Sequence, residues 1–583
     1  MNGVWNLDKI YQGFEDPAFD RDLSALKNAV SRLDLLSRAL RDMEPSLALS
    51  QGIELMEQIT ALVNKLASYA MLRQAADTKN PEAGSRLGQV LAAISGAAAP
   101  EAAFKSWAAG LPNLAALVEA DEALKDYAFL FSNLQDSSRY LLPGMGEEIM
   151  ARMQLSGGNA WAELQQYLTS TVPVAWQDST TNLSTIRNLA SDADPAIRKA
   201  AYDAELGCYD RIKDSVAYAL NSIKLETLSD CALRGYTSPL ERTLKESHME
   251  RRTLDAMLSA MDEYLPKFRQ YLKAKAKALG HTGGLPWYDL FAPMGKTSTK
   301  FTADSAREYL VDLFSGFDRD LAAMISRAFR DEWIDFYPRD GKQGGAFCGD
   351  VEAIGESRIL ANFDGTFSSI VTLAHELGHA FHNECIRSHR TLNHEYSMPL
   401  AETASTFNEC VVMAAAIQSA ADDQERIALI ESQLQDATQI ICDIYSRYLF
   451  EKAVFDNRET QFMDADTLCG MMRTAQTQCY GDGLAADTLH PYMWVCKSHY
   501  YGPIFYNFPY AFGGLFARGL YAQYEQEGDA FLPKYKRLLY TTTIATAEDT
   551  AKVAGIDLTD KAFWRSALQT IADQIDLFCE LVG

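Results

Sequence analysis

The amino-acid sequence predicts a mostly α fold, and three observations carry the prediction. Apolar residues recur at i, i+3, i+4 and i+7 along much of the chain, the spacing of one buried helix face. Strand-like alternation is rare by comparison. Of 583 residues, 48% are hydrophobic and 11% aromatic, enough for a core that removes roughly three-quarters of the unfolded surface from water. Length alone suggests about three to five domain-sized units.

Over 18–42 the stripe is Leu23, Leu26, Val30, Leu33, Leu36 and Leu40; the next helix repeats it with Leu55, Ile59, Leu62, Leu66 and Tyr69. Breaks at Asn80-Pro81 and around Pro100 keep these runs too short for a coiled coil, so residues to about 110 read as an antiparallel helical layer. Residues 113–182 continue in this character, with breaks at Pro143-Gly144 and Gly157-Gly158. Helices resume after Asp192, including 214–230 and 248–279; the Lys- and Arg-rich face of the second reads as solvated surface. Gly283-Gly284-Leu285-Pro286 ends that run, and the glycine cluster at 338–350 predicts loop. The segment SRILANFDG then reads as a short strand closed by a turn at Asp364-Gly365, a small β element just before the next helix. An extended peptide could hydrogen-bond along such a strand's edge. Helices return over 425–482, and most of the dense aromatic run at 499–514 reads as core.

The chemistry concentrates in VTLAHELGHAFHNE, residues 371–384. His375 and His379 are four residues apart, on one helical face, so their imidazoles can converge on a single ion. A catalytic zinc site takes three protein ligands and leaves a position for water. Glu376, beside the first histidine, is placed to take a proton from that water. Apolar neighbours Val371, Leu373, Ala374, Leu377, Ala380 and Phe381 fit a helix entering a core, and Gly378 permits a close approach by another backbone or a substrate. Ser397 and Pro399 mark the start of a second helix, whose Glu402 lies 23 residues beyond His379 and supplies a third ligand. Glu409, seven residues further, could hold a ligand histidine from behind. His382 is a rival third ligand, although three histidines along one straight helix fit a tetrahedron poorly.

Composition limits the alternatives. A net charge of −24 argues against nucleic acid, whose phosphates need clustered Lys and Arg. Ten cysteines without any CxxC spacing suit a reducing compartment; Cys348 and Cys410, both close to the site in sequence, read as small buried hydrophobes. The opening MNGVWNLDKIYQGFEDP lacks the pattern of a secretory signal, and no run of eighteen apolar residues would span a membrane. The expected location is cytoplasmic.

HELGHAFH followed by LAETASTFNE closely resembles the oligoendopeptidase F family, relatives of thimet oligopeptidase. So do VWNLDKIY at 4–11, SYAMLRQAADTKNPEA at 68–83, RNLASDADPAIRKAAY at 187–202, SPLERTL at 238–244, LPWYDLFAP at 285–293 and GGAFC at 344–348. The resemblance covers essentially the whole chain. It implies a helical metallopeptidase body enclosing a deep substrate channel, with an N-terminal helical region over 1–112, the family's N-terminal module over 113–182 and a catalytic zinc peptidase domain over 190–583. It also implies one Zn2+ per chain, and a histidine and tyrosines facing it that match His499, Tyr506 and Tyr510. Relatives in the thimet branch space these residues differently, which leaves Tyr500 or Tyr501 as alternatives for one role.

The expected activity is hydrolysis of internal bonds in short, unstructured oligopeptides, with Glu376 moving the proton. The alternatives are a carboxypeptidase or dipeptidyl carboxypeptidase on the same scaffold, or a peptide-binding protein that has lost catalysis. A carboxypeptidase needs a cation for the substrate's C-terminus, and no Lys or Arg declares itself; Lys497 and Arg518 are only nearby in sequence. Monomer and homo-oligomer stay equally open.

Overall fold

Five helices start alike, on a polar cap followed by proline: Asp16-Pro17, Glu44-Pro45, Asn80-Pro81, Asp194-Pro195 and Ser238-Pro239. Each cap side chain accepts a backbone N–H of the first turn, and proline's fixed φ suits the next position. The computed structural model describes residues 3–143, 145–296 and 299–583, so Gly144 of the predicted Pro143-Gly144 break lies outside the described residues. The chain is mostly α, as its periodicity predicts, and forms two compact units.

The first unit comprises Met1–Arg139, Thr299–Ala415 and Gln523–Gly555. Its N-terminal layer is built from helices Pro17–Ala39, Pro45–Ala76, Pro81–Ser95 and Ala98–Ala109. The break predicted around Pro100 falls earlier, at Gly96-Ala97. Pro100 itself sits in the first turn of its helix, where its missing N–H costs nothing. Leu23, Leu26, Leu33, Leu36, Leu40, Ile59, Leu66 and Tyr69 are buried, and this core continues onto Val351 and Leu360 of a small sheet.

The second unit comprises Tyr140–Ser298, Ala416–Ala522 and Ile556–Gly583. It holds a two-stranded ribbon, β1 (Val174–Trp176) with β2 (Ser179–Thr181), which helical periodicity does not announce. Helices Lys213–Arg234 and Arg251–Ala278 lie close to their predicted positions. The basic face of the latter is not simply solvated. Lys275 is fully buried; it pairs with Glu431 and donates to the Leu290 carbonyl at 2.8 Å. Lys267 meets Asp576 at 2.7 Å. Spacing registers the cations of a helix, while their partners arrive from other elements.

In the first unit, β3 (Ile334–Asp335), β4 (Phe347–Val351) and β5 (Glu356–Leu360) form a sheet of order β3-β5-β4. The loop predicted over 338–350 therefore stops short of Phe347, because 347–351 pair antiparallel with β5. The predicted strand at SRIL is also not an edge. It pairs parallel with β3 on one side and antiparallel with β4 on the other, so the outer strands are β3 and β4. Among the described residues, the outer side of β4 has no backbone partner.

Helix Phe367–Ile386 follows the sheet and packs against β4, β5 and helix Leu532–Thr541. Asp364 and Thr366 set its start. Asp364 accepts from the Thr366 N–H and the Thr366 and Ser369 hydroxyls, while Thr366 caps the Ser369 N–H. Its far end is tied to the sheet by Asn383 donating to Ser357 at 3.1 Å and by Arg387 paired with Asp350 at 2.9 Å.

Candidate active site

His375 and His379 project from one face of helix Phe367–Ile386, their rings 4.9 Å apart and nearly perpendicular. The next segment is not one uninterrupted helix. A short turn, Met398–Ala401, ends at Glu402, and the helix restarts over Thr403–Ser419. Thr403 donates its hydroxyl to the Leu400 carbonyl at 2.7 Å, capping the interruption that turns Glu402 out. Glu402 Oε2 then lies 3.3 Å from Nε2 of His375 and 3.3 Å from Nε2 of His379.

These three ligand atoms all lie within 4.8 Å of one another, a group suited to hold a metal ion. The donor set fits zinc. A tetrahedral ion with bonds of about 2.0–2.1 Å has ligand–ligand edges of about 3.3–3.4 Å, which matches both histidine–carboxylate separations. The local charge also asks for a cation, since Glu376, Glu402 and Glu409 face two imidazoles. Hydrogen bonds from both histidines outweigh the burial of Glu402 and hold its carboxyl well below the ordinary range. Burial opposes a charge on His375, yet its hydrogen bonds to Glu402 and Glu409 bring it up to about 10. Those imidazolium contacts mark the place a divalent cation would take.

The supporting contacts are specific. Glu409 Oε1 accepts from Nδ1 of His375, fixing the ring so that Nε2 points to Glu402. Ser405 donates to Glu402 Oε2 at 2.7 Å, and Asn408 donates to the Ala374 carbonyl at 3.0 Å, linking the two helices beside the site. Ser405 and Asn408 were not singled out in the sequence. Their only signal is that they are polar and lie three and six residues beyond Glu402, in a helix whose first turns also carry Thr403, Thr406 and Glu409. Glu409→Ala is expected to weaken metal affinity about 10–100-fold while leaving the fold intact, measured by competition with a chelator of known affinity.

Gly378 shows how close the helices are. A Cβ there would lie 2.6 Å from both the Ala404 carbonyl oxygen and the Ser405 Cα, so the approach anticipated at this glycine is backbone to backbone. Gly378→Ala must push away the helix that bears Glu402. The expected cost is about 1–3 kcal/mol of stability, read as a lower denaturation midpoint, with weaker metal retention.

Glu376 is 6% exposed, and burial raises its carboxyl pKa against the lowering influence of His375 and His379. It sits beside the metal-fit group without belonging to it. His382, the rival ligand, is fully buried and outside that group. Its Nε2 meets the Thr542 hydroxyl at 2.8 Å, its ring stacks on Tyr396, and burial pushes it down to about 3. Cys348, on β4, is close enough for the Glu376 charge to act on it. Burial first, then that charge, raises its thiol well above the usual range, so it is no ready nucleophile.

His499, Tyr506 and Tyr510 belong to the second unit. Tyr506 precedes helix Phe508–Glu527, which carries Tyr510. The three rings still form one cluster, with centroids 5.7, 5.8 and 5.6 Å apart for the three pairs. Burial, reinforced by the charges of Arg447 and Lys497, pushes His499 down to about 4, so it is neutral at pH 7. Tyr500 and Tyr501 are interior, and Tyr501 donates to the Trp494 carbonyl at 2.8 Å. The turn carrying Tyr506 is pinned by the buried pair Lys224–Glu451. Glu451 accepts from Asn507 Nδ2 at 2.9 Å and the Phe505 N–H at 3.3 Å. Glu451 had no signal in the sequence, because only the packed chain brings it to residue 507.

A mostly helical chain that joins two histidines and a glutamate around a metal-sized gap, with a buried acid beside the first, has the donor set of a metal-dependent hydrolase. Comparison with known proteins agrees. The profile of peptidase family M3 matches residues 188–570, and that of Oligopeptidase F matches residues 110–172. The chain belongs to peptidase family M3 and is a metalloendopeptidase of the oligoendopeptidase F type. Oligopeptidase PepF of Bacillus subtilis is 23% identical over 595 residues, spanning 99% of this chain and 87% of the relative.

Two crystal structures share the fold. A Chlamydophila abortus protein described as a peptidase aligns with a TM-score of 0.88 at 19% identity, covering 99% of this chain and 98% of its own. Oligoendopeptidase-F of Enterococcus faecium aligns at 0.71 and 17% identity, covering 97% and 99%. Among the described residues, no helix is long and apolar enough to cross a membrane.

Proposed function

We propose that this peptidase is a zinc-dependent endopeptidase that cleaves internal bonds of short, unstructured oligopeptides. The observation that carries the reading is the His375–His379–Glu402 group, with both carboxylate–imidazole separations at 3.3 Å. One Zn2+ would be held by Nε2 of each histidine and by Glu402 Oε2. Such an ion lowers the pKa of a bound water and polarises a peptide carbonyl.

The chain's own groups do the rest. Glu376, made more basic by burial, takes a proton from the attacking water and delivers it to the leaving amine. Glu409 holds His375 in the tautomer that offers Nε2. The outer edge of β4, a strand packed against the helix that carries the histidines, offers backbone groups to an extended peptide. This moves the substrate strand from β5, where it was expected, to β4. We assign the donors for the oxygen that gains charge in the transition state to Tyr510, Tyr506 and His499. What supports the assignment is that residues grouped by family resemblance do cluster in the folded chain. All ten cysteines are free thiols, which supports a reducing, cytoplasmic setting.

An internally quenched peptide, acetylated at one end and amidated at the other, tests the reading. Cleavage that is lost on chelation and restored by Zn2+ is expected. Zinc bound at about one per chain without cleavage of any doubly blocked peptide would overturn the endopeptidase reading.

A further inference from the structure

We infer that a cavity of the second unit binds the C-terminal residue of a peptide, its carboxylate on Lys497 and its side chain on an aromatic wall. The cavity, about 460 Å³, is lined by residues from 186–205, 287–291, Gln439 and 490–497. That volume lies in the range of pockets built for small molecules. Nothing in the proton chemistry derived above uses it.

The charges lining this cavity are settled except for one. Arg187 is paired with Glu205 and lies 3.0 Å from the Cys496 sulfur. Arg198 is paired with Asp289 at 2.8 Å and donates to the carbonyls of Asp192 and Ala193. His490 meets Glu205 at 3.1 Å. Lys497 lines the same cavity, and among the described residues its ammonium has no hydrogen-bond or ion-pair partner. Burial, joined by the charge of Arg447, lowers its pKa against the raising influence of Asp443, the sign of a cation short of water. A group of this kind gains most from an anion that brings its own apolar body.

Aromatic residues in the same lining supply a place for that body. The ring of Trp287 lies 5.7 Å from His490, Tyr202 lies 6.1 Å from His490, and Tyr202 lies 5.8 Å from Tyr288. These four rings form a continuous wall, and aromatic faces of this kind favour an apolar or aromatic side chain. A cation and an aromatic wall lining one cavity are the complement of an apolar residue ending in a carboxylate. Every linear peptide with an unblocked C-terminus carries the carboxylate, and those ending in an apolar residue carry both parts. The pocket does not depend on the endopeptidase reading.

The test uses the full chain and isothermal titration with N-acetylphenylalanine, its amide and N-acetylglycine, none of which has a peptide bond between two residues. The acid is expected to bind at least tenfold more tightly than the amide, and several-fold more tightly than N-acetylglycine. Lys497→Met is expected to bring the acid down to the amide's affinity, and Lys497→Arg to keep most of the preference. Acid and amide binding within twofold of each other on the unaltered chain would overturn the pocket, as would an undiminished preference in Lys497→Met. Because binding is read without turnover, its result is separate from the blocked-peptide assay. Cleavage with no acid preference overturns the pocket alone, and acid preference without cleavage supports the pocket while the endopeptidase reading falls.

Discussion

Glu376→Gln is expected to lower kcat for a blocked peptide by about a thousandfold or more while the protein keeps its metal. Glutamine has the shape of glutamate and can still hydrogen-bond, but its amide cannot take a proton from water or return one to an amine. Glu376 is outside the metal-fit group, so neither metal content nor folding should change. Its position supports the role: it is 6% exposed, and burial raises its pKa and hence its basicity. Steady-state kinetics with metal analysis of the same sample checks this. A variant that retains both zinc and near-normal kcat would remove Glu376 from proton transfer.

His375→Ala is expected to abolish both metal binding and activity. The alanine removes one of three ligands and leaves Glu409 without the ring it holds. Glu402 then faces His379 alone. Two ligands on a flexible carboxylate and one ring do not hold a divalent ion at useful affinity, since a zinc site of this kind rests on three protein ligands. The checks are metal stoichiometry, expected to fall from about one per chain to near zero, and thermal unfolding. In the wild type a chelator should lower the unfolding temperature, because an ion that binds only the folded state stabilises it. In His375→Ala the chelator should have no effect. A variant that still binds one zinc per chain would mean that the metal sits elsewhere.

The smaller effects expected at Glu409 and Gly378 follow from the same geometry. One side chain orients a ligand, and the other, by its absence, lets two backbones approach. Gly378 was legible in the sequence as a point of close approach, but the sequence left the visitor open between substrate and backbone. The 2.6 Å separation from Ala404 and Ser405 identifies it as the next helix. Likewise, Glu402 and Glu409 were expected on one face of one helix. They reach the site by different means, Glu402 from an interruption and Glu409 from the restarted helix. Backbone periodicity cannot reveal a one-residue break that a Thr403–Leu400 hydrogen bond creates.

By itself, the sequence determined whatever is local. The leucine stripes placed the helices, because a helix repeats every 3.6 residues whatever it packs against. The four-residue spacing of His375 and His379 put both rings on one face for the same reason, and a serine–proline start located the segment carrying Glu402. Tertiary structure decided which groups meet. It made β4 the open edge and β5 the centre of the sheet, because strand order depends on pairings distant in sequence. It gave Lys275 a buried partner in Glu431 and, among the described residues, gave the Lys497 ammonium no hydrogen-bond or ion-pair partner, although both lysines look alike as residues in a sequence. A charge declares its type locally, but its partner arrives from elsewhere in the chain, and that is settled only when the helices pack.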